Sequence, residues 1–600
     1  MGTFNPSKKF ADWVDEELKS RKKIRPIFSL HKYFARRSGR VFNWAISELE
    51  KEMGEGKTLT ILDPMAGGGT IPWEGSMRGH NVIAADLNPL ASLIQKGMFN
   101  PPDSTILERE INSLLTDAEK QIGHLFETKI GEEKFPILYR HFVREVECQN
   151  CPERFRLYPH TMFNRGRKRG KEQSESNKGD SWCPHCDEIN LSSSPSVKCI
   201  SCEQKYNSEQ GTIRVLGKKS IAKCSFCGFD SKPHSLINGN TSLYLVGIEY
   251  RDGKEKPIKK PNLEDFEGFR RTHEIPPLNR ISNGIESKRL LNAGFSNWSS
   301  IFTTNQLLAY DYLFRRTSEI EDHPSRHWIR LGISSTLEYQ CALVSYNFKY
   351  RKAHHLFTHH AFPIPETGVE GNVIGHKRDG AGTVRNFLNS LIKVSKNINS
   401  TDNWGPKEKV EWGDVSVING DSRQLTDDLP SVNVVITDPP YHDSIEYEEL
   451  TNFFKAWWEQ YFAEDYQDIS WDEISESQAT PTKEDPQQFS RILGEIFEEA
   501  YKKSEENAIM IFTFHDTNDT GWMELAEAID NSGWLIKDFI SIESEYKANI
   551  HLQDYDDPMD EDILFICGKN EAYEPPTRSK KGMYQHAWKV WKELYHNTDT

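Results

Sequence analysis

No run in the 600-residue sequence approaches the roughly 18 consecutive apolar residues of a membrane-spanning helix. The opening, Met1 to Trp13, carries no apolar signal-peptide core. A cytoplasmic protein without membrane contact is therefore expected. Positive charge is in deficit: 74 Lys and Arg face 90 Asp and Glu, a net charge of −16. That excludes a uniformly basic nucleic-acid coat and leaves such binding to local basic surfaces. Neither a GxGxxG fingerprint nor a Walker lysine is present. Cysteine is sparse, ten in all, yet eight fall into the CxxC pairs Cys148/Cys151, Cys183/Cys186, Cys199/Cys202 and Cys224/Cys227. In a cytoplasmic chain this reads as metal binding rather than disulfides. With 36% hydrophobic residues, 15 Trp and 31 Phe, wholesale disorder is excluded, and the length implies two to four domains.

What is present centres on Asp438-Pro439-Pro440-Tyr441, which ends the apolar run Val434-Val435-Ile436-Thr437. A buried strand stops there and delivers a carboxylate, a stiff double proline and an aromatic ring. The prolines remove two backbone donors, so nearby carbonyls can be aimed at a ligand. After a strand of an open α/β sheet, such a loop lies where those folds bind ligands. Acceptors beside an aromatic plate suit a flat ring bearing an amino group.

Earlier in the chain, the strand Thr58 to Leu62 ends in Asp63-Pro64-Met65-Ala66-Gly67-Gly68-Gly69-Thr70 and runs into a helix from Ile71 to Arg78. A second strand, Asn81 to Ala85, ends in Asp86-Leu87-Asn88-Pro89. Strand, glycine turn, helix and strand with a terminal acid make the first half of a doubly wound sheet. The glycines let backbone pass tightly under a ligand; alone they are equally a tight turn. Asp86 adds an acid where ribose hydroxyls are commonly held. The α/β pattern returns with Val415 to Asn419 before Gly420-Asp421-Ser422, Val432 to Thr437, Ala508 to Phe514, the helix Trp522 to Ser532 and the strand Trp534 to Ile540.

Between these halves, 104–404 reads as an insertion. Zinc ribbons are expected at 145–230, two CxxC pairs closing each tetrahedral site. The simplest assignment joins the first two pairs and the last two; a nested arrangement, outer with outer and inner with inner, is also open. Asn164 to Lys171 and Arg251 to Lys260 are basic loops, suited to phosphates or merely solvated tips. Residues 231–404 read as mainly helical, and the cluster His354, His355, His359 and His360 suits packing or nucleic-acid contact better than a metal. The expected domains are an accessory helix at 1–23, sheet halves at 24–103 and 405–575, the insertion, and a C-terminal helix at 576–600.

Taken together, Asp63–Thr70, Asp86–Pro89, Gly420–Ser422 and Asp438–Tyr441 resemble the S-adenosylmethionine-dependent amino-methyltransferases. With His31-Lys32-Tyr33-Phe34-Ala35-Arg36-Arg37, the continuation Tyr441-His442-Asp443 and the cysteine pairs, the chain is most similar to zinc-ribbon-containing, adenine-specific DNA methylases. The resemblance implies a Rossmann-like methyltransferase sheet interrupted by the insertion, with S-adenosyl-L-methionine and two structural Zn2+ ions as cofactors. It implies that Asp63, Ala66, Gly67, Gly68, Gly69 and Thr70 approach the methionine part of the cofactor. His31, Phe34 and Arg36 would lie over its amino-acid end. Asp86, with Leu87 and Asn88, would accept from the ribose hydroxyls, and Asp421, beside Ser422, from the adenine amino group. Asp438 and the Pro439 carbonyl would accept both hydrogens of the target amine, with Pro440 stiffening the loop and Tyr441 stacking on the flipped base.

The implied partner is double-stranded DNA, with proteins of a restriction or phage-defence system as further partners. Target recognition is assigned to the insertion by its size and basic loops. Methylation of guanine N2 in RNA or of cytosine N4 in DNA are the alternatives within the same chemistry. A non-catalytic zinc-ribbon scaffold is the alternative of a different class.

Overall fold

The computed structural model describes residues 25–34, 36, 39–54, 56–164, 179–216, 219–269, 278–358, 361–377, 379–380, 382–398, 412–440, 447–471, 487–514, 519–543 and 561–569. The helices expected at 1–23 and 576–600, the basic stretch Arg165–Lys171, and Ala35, Arg37, His359, His360 and Tyr441–Asp443 lie outside them. The chain folds as two units. One holds the described residues up to Pro101, from Asn397 to Thr451 and from Phe462 onward; the other holds Pro102–Lys396 and Asn452–Tyr461.

The first unit is built on seven strands: β1 (Thr60–Asp63), β2 (Asn81–Asp86), β3 (Val415–Asn419), β4 (Val432–Thr437), β5 (Ser504–Phe514), β6 (Trp534–Glu543) and β7 (Glu561–Lys569). Their order across the sheet is 3-2-1-4-5-7-6. β1 to β5 pair in parallel, whereas β7 is antiparallel to both β5 and β6. The inserted antiparallel strand separates this sheet from the all-parallel order 3-2-1-4-5-6 of dinucleotide-binding domains.

Central strands covered on both faces read as continuous apolar runs, and every residue of β4 is buried. One face packs against α1 (Gly39–Met53) through Val41, Phe42, Ala45, Ile46 and Leu49. Ile71 of α2 (Thr70–Met77), which follows the glycine turn, packs in the same cluster, and α3 (Pro89–Met98) follows β2. The opposite face packs Phe489, Leu493 and Phe497 of α5 (Gln488–Lys503) and Leu525, Ala528 and Ile529 of α6 (Asp519–Ser532). Between β4 and α5 runs α4 (Tyr447–Phe462).

Strand β7 corrects the sequence expectation, which closed the sheet with Trp534 to Ile540. Its run Ile563-Leu564-Phe565-Ile566-Cys567 is buried throughout and pairs along its length with β6.

The second unit departs from the expected ribbon-plus-helices plan. Its spine is a 15-residue strand, Glu133–Glu147, to which the sequence reading gave no element. Ser242–Tyr250 and Thr367–Gly371, from the stretch read as mainly helical, pair antiparallel with it on either side. The helices Thr304–Thr317 and His323–Thr336 are present and mostly buried. Residues of α4 complete an aromatic core in this unit: Phe453 stacks on Phe302 at 5.8 Å, and Trp457 meets Phe302 edge-on at 5.2 Å.

Candidate active site and cysteine tetrads

In a doubly wound sheet the ligand crevice lies at the carboxyl ends of the strands, where the order reverses. Here the reversal falls between β1 and β4, so Asp63 and Asp438 leave adjacent strands side by side. Thr437 Oγ1 donates to Asp63 Oδ1 at 2.9 Å, and the Met65 N–H reaches the same oxygen at 3.3 Å. Asp63 Oδ2 is buried without a partner among the described residues. Burial, reinforced by the nearby Asp86 and Asp438, holds the Asp63 carboxyl well above the usual range. On the other side of β4, Thr513 of β5 donates to Asp438 Oδ1. Asp438 is half-buried, while Pro439 is buried.

The glycine turn is closed from several sides. Gly67 (φ +48°) and Gly69 (φ +79°) occupy the left-handed region that favours glycine. Gly67 N–H donates to Asp86 Oδ2 at 2.6 Å, and Asn88 N–H to Asp86 Oδ1 at 2.7 Å. Despite these two donors, burial pushes Asp86 up to about 6. Asn88 also caps α3 by accepting from the Leu90 N–H at 2.9 Å. Gln95 donates to Gly67 O at 2.8 Å, leaving its own Oε1 buried and unpartnered.

The third loop is tied to the first two. Gly420 N–H donates to Asp86 O at 3.0 Å, and Ser422 Oγ to Pro64 O at 2.5 Å. Asp421 is engaged locally: Arg423 Nε lies 2.9 Å and 3.0 Å from its two oxygens, and the guanidinium holds its carboxyl below the ordinary value, against the opposing effect of burial. Asp421 is thus already paired with Arg423, which sequence inspection did not reveal.

Tyr33 and Arg36 lie against the same turn. A Cβ on Gly67 would stand 3.1 Å from Tyr33 Cε1, and one on Gly68 only 2.5 Å from Arg36 Nε. Arg36 donates to Phe28 O (2.8 Å) and His31 O (3.2 Å), and burial lowers its guanidinium to about 10. Its Nε is buried without a partner among the described residues. His31 and Phe34 are buried at 1% exposure each, so they pack and position rather than project. Arg25 grips the fully buried Glu74 of α2 at 2.5 and 2.6 Å, and Asn43 adds a third bond at 2.8 Å.

Asp63, the glycines, Asp86, Ser422 and Asp438 are thus brought to one sheet edge. Sequence reasoning missed Thr437, Thr513, Gln95 and the Arg25–Glu74 clamp. The two threonines sit at the ends of apolar strand runs, a signal that means little until strand order is known. The lining fits S-adenosylmethionine: an unpartnered buried carboxylate oxygen, a Cβ-free turn and an acid at the second strand end meet an ammonium and ribose hydroxyls.

The cysteines assemble in the nested arrangement, correcting the simplest assignment. Cys148, Cys151, Cys224 and Cys227 form one group and Cys183, Cys186, Cys199 and Cys202 the other, the sulfurs of each within 4.8 Å of one another. Sulfur separations are 3.6 Å (Cys148–Cys227), 3.9 Å (Cys151–Cys224), 3.7 Å (Cys183–Cys202) and 3.6 Å (Cys186–Cys199). A tetrahedron with Zn–S of about 2.3 Å has an edge of roughly 3.8 Å, so both groups fit that ion. Asp187, Glu203 and Gly228, each following the second cysteine of a pair, share the left-handed conformation with φ of 61°, 59° and 74°. Among the described residues no histidine or carboxylate joins either group, and His354 and His355 belong to no metal-competent cluster.

No described helix is long and apolar enough to cross a membrane. A family model described as DNA methylase, of the N6-adenine and N4-cytosine type, matches residues 432–600. No curated protein and no solved structure matches the chain. The family match supports a DNA methyltransferase, which implies S-adenosylmethionine as methyl donor and DNA as substrate.

Proposed function

We propose that this chain methylates the exocyclic N6 of an adenine flipped out of double-stranded DNA. The observation carrying the reading is the Asp63–Thr437–Asp438 junction, which sets an unpartnered buried carboxylate oxygen beside the Asp438 loop. S-adenosylmethionine supplies an electrophilic methyl group on a sulfonium. Asp63 Oδ2 takes the cofactor's ammonium, Arg36 lies over the turn toward its carboxylate, and Asp86 accepts from its ribose hydroxyls. Asp421 accepts from the cofactor's adenine amino group while retaining Arg423.

Asp438 and the Pro439 carbonyl accept the two hydrogens of the target amine. Its lone pair is otherwise delocalised into the ring; two aimed acceptors favour a pyramidal nitrogen pointing at the methyl group. The gain is positional and electrostatic. Tyr441 stacks on the base. Adenine is favoured over cytosine because an aspartate, not the serine more common in the cytosine enzymes, opens the motif. The two cysteine tetrads hold structural Zn2+, residues 104–404 recognise the target, and the setting is cytoplasmic restriction-modification or phage defence with partner proteins.

The test is incubation of purified protein with genomic DNA and S-adenosylmethionine, followed by nucleoside mass spectrometry. N6-methyladenine that disappears in Asp438→Ala is the expected result. N4-methylcytosine alone moves the assignment to the other base, methyl transfer only to RNA overturns it, and no calorimetric heat with S-adenosylmethionine removes the enzyme reading.

A further inference from the structure

The second unit carries a short hairpin, Tyr346–Asn347 paired with Lys352–Ala353, whose tip points an aromatic ring and two ammonium groups outward. Tyr350 is 64% exposed, an unusual state for a ring of that size. Lys349 Nζ lies 5.3 Å and Lys352 Nζ 6.0 Å from its ring centroid. Both lysines are exposed, and neither has a carboxylate partner among the described residues.

The tip is not a loose one. Asn347 Oδ1 accepts from the N–H groups of Lys349 and Tyr350, both at 3.1 Å, which fixes the turn. Arg351 then takes φ +50°, a conformation where glycine would be cheaper. Its side chain explains the choice: the guanidinium reaches inward to Glu249 Oε1 at 2.9 Å and to the Lys256 carbonyl. Glu249 is fully buried, and its other oxygen accepts from Tyr346 Oη at 2.7 Å. One buried carboxylate thus clamps both strands of the hairpin. Lys349 and Tyr350, between them, remain exposed, as does Lys352 just beyond.

The basic loop Arg251 to Lys260 of this unit holds several of its cations differently. Arg251 and Lys256 are both paired with Asp379, the latter at 3.3 Å, and Lys259 with Asp265 at 2.6 Å. Those three cations are paired within the protein, whereas Lys349 and Lys352 have no carboxylate partner among the described residues. An exposed ring between unneutralised cations, on a preorganised support, matches the needs of a nucleic-acid strand: a π-face for a base and point charges for flanking phosphates.

We propose that the 346–353 hairpin is a DNA-binding tip, stacking an unpaired or splayed base on Tyr350 and meeting the adjoining phosphates with Lys349 and Lys352. The proposal rests on the reading of the chain as a DNA methyltransferase. It adds a named grip on the polynucleotide within the second unit.

The experiment is fluorescence anisotropy of the full chain with a labelled mixed-sequence single strand of about 20 nucleotides and its duplex, across a salt series. Tyr350→Ala should weaken single-strand binding on the order of ten-fold, while Tyr350→Trp should preserve it. Lys349→Ala with Lys352→Ala should reduce the steepness of the log–log salt dependence by about 1.4, two charges' worth on a single strand. Cofactor binding should be unchanged in every variant, separating loss of contact from loss of fold. Wild-type binding with unaltered affinity and salt slope in these variants would overturn the tip and leave the methyltransferase reading intact. A wild-type chain that binds S-adenosylmethionine yet neither DNA form would overturn both.

Discussion

Thr437 Oγ1 and Asp63 Oδ1 stand 2.9 Å apart, joining the end of β4 to the end of the parallel β1 where the strand order reverses. The bond fixes one oxygen of a carboxylate whose other oxygen is buried and unpartnered.

Thr437→Val keeps the shape but removes that donor, leaving Asp63 Oδ1 only the 3.3 Å Met65 N–H. A buried acceptor losing a partner costs about 1–3 kcal/mol. The expected outcome is a lower melting temperature and a cofactor affinity weaker by about five- to 150-fold on that scale. Calorimetric titration checks it. A stability loss with unchanged affinity would show that Asp63 holds the sheet together but not the cofactor.

Asp86 predicts a pH dependence. Its folded value, about 6, lies above the ordinary 3.8, because burial disfavours the charged form. A raised value means its stabilising contribution is complete below pH 3.8 and is lost as pH rises through about 6. The loss is at most about 3 kcal/mol. Ribose hydroxyls donating to the ionised carboxylate offset it, so the thermal shift produced by S-adenosylmethionine should grow from pH 5 to pH 7. Asp86→Asn should flatten that growth. A shift independent of pH in the wild type would remove Asp86 from the cofactor site.

How far the sequence disclosed this site depended on whether a signal was local. Asp63, Asp86 and Asp438 each end an apolar run, so strand and acid could be read together. Strand β7 was missed although Ile563–Cys567 is a plain apolar run, because its antiparallel place between β5 and β6 depends on strand order. Thr437 and Thr513 gain meaning only from β1, β4 and β5 lying side by side. Arg423, two residues beyond Asp421, needed side-chain geometry. The cysteine pairing was undecidable for a thermodynamic reason: doubling a loop adds only about 0.6 kcal/mol to its closure, so nested and sequential pairings differ little in cost.

Metal counting separates those pairings. Two zinc ions per chain are expected, consistent with two tetrads. Cys148→Ser combined with Cys183→Ser should remove both ions, because each substitution damages a different tetrad. Cys148→Ser combined with Cys227→Ser should leave one. Sequential pairing reverses these two outcomes. The first tetrad also packs against Val146, Phe155, Leu157 and Ile213, whereas the second shares a small cluster with Val197 and Tyr206. Losing the first should therefore destabilise the second unit more, as read by limited proteolysis.

Thr513 tests whether Asp438 works as an aimed acceptor rather than as a diffuse negative charge. Its hydroxyl donates to Asp438 Oδ1 from the neighbouring strand and so restricts the carboxylate's rotation. Thr513→Val removes the donor while keeping the branched shape that β5 requires. If transfer needs the carboxylate aligned with the amine, kcat should fall about ten-fold, equivalent to about 1.4 kcal/mol. Cofactor affinity should stay unchanged, and Thr513→Ser should restore most of the rate. Asp438→Ala should abolish turnover altogether. An equal loss in Thr513→Val and Thr513→Ser would instead trace the effect to packing of β5, because the serine retains the hydroxyl and gives up only the methyl group.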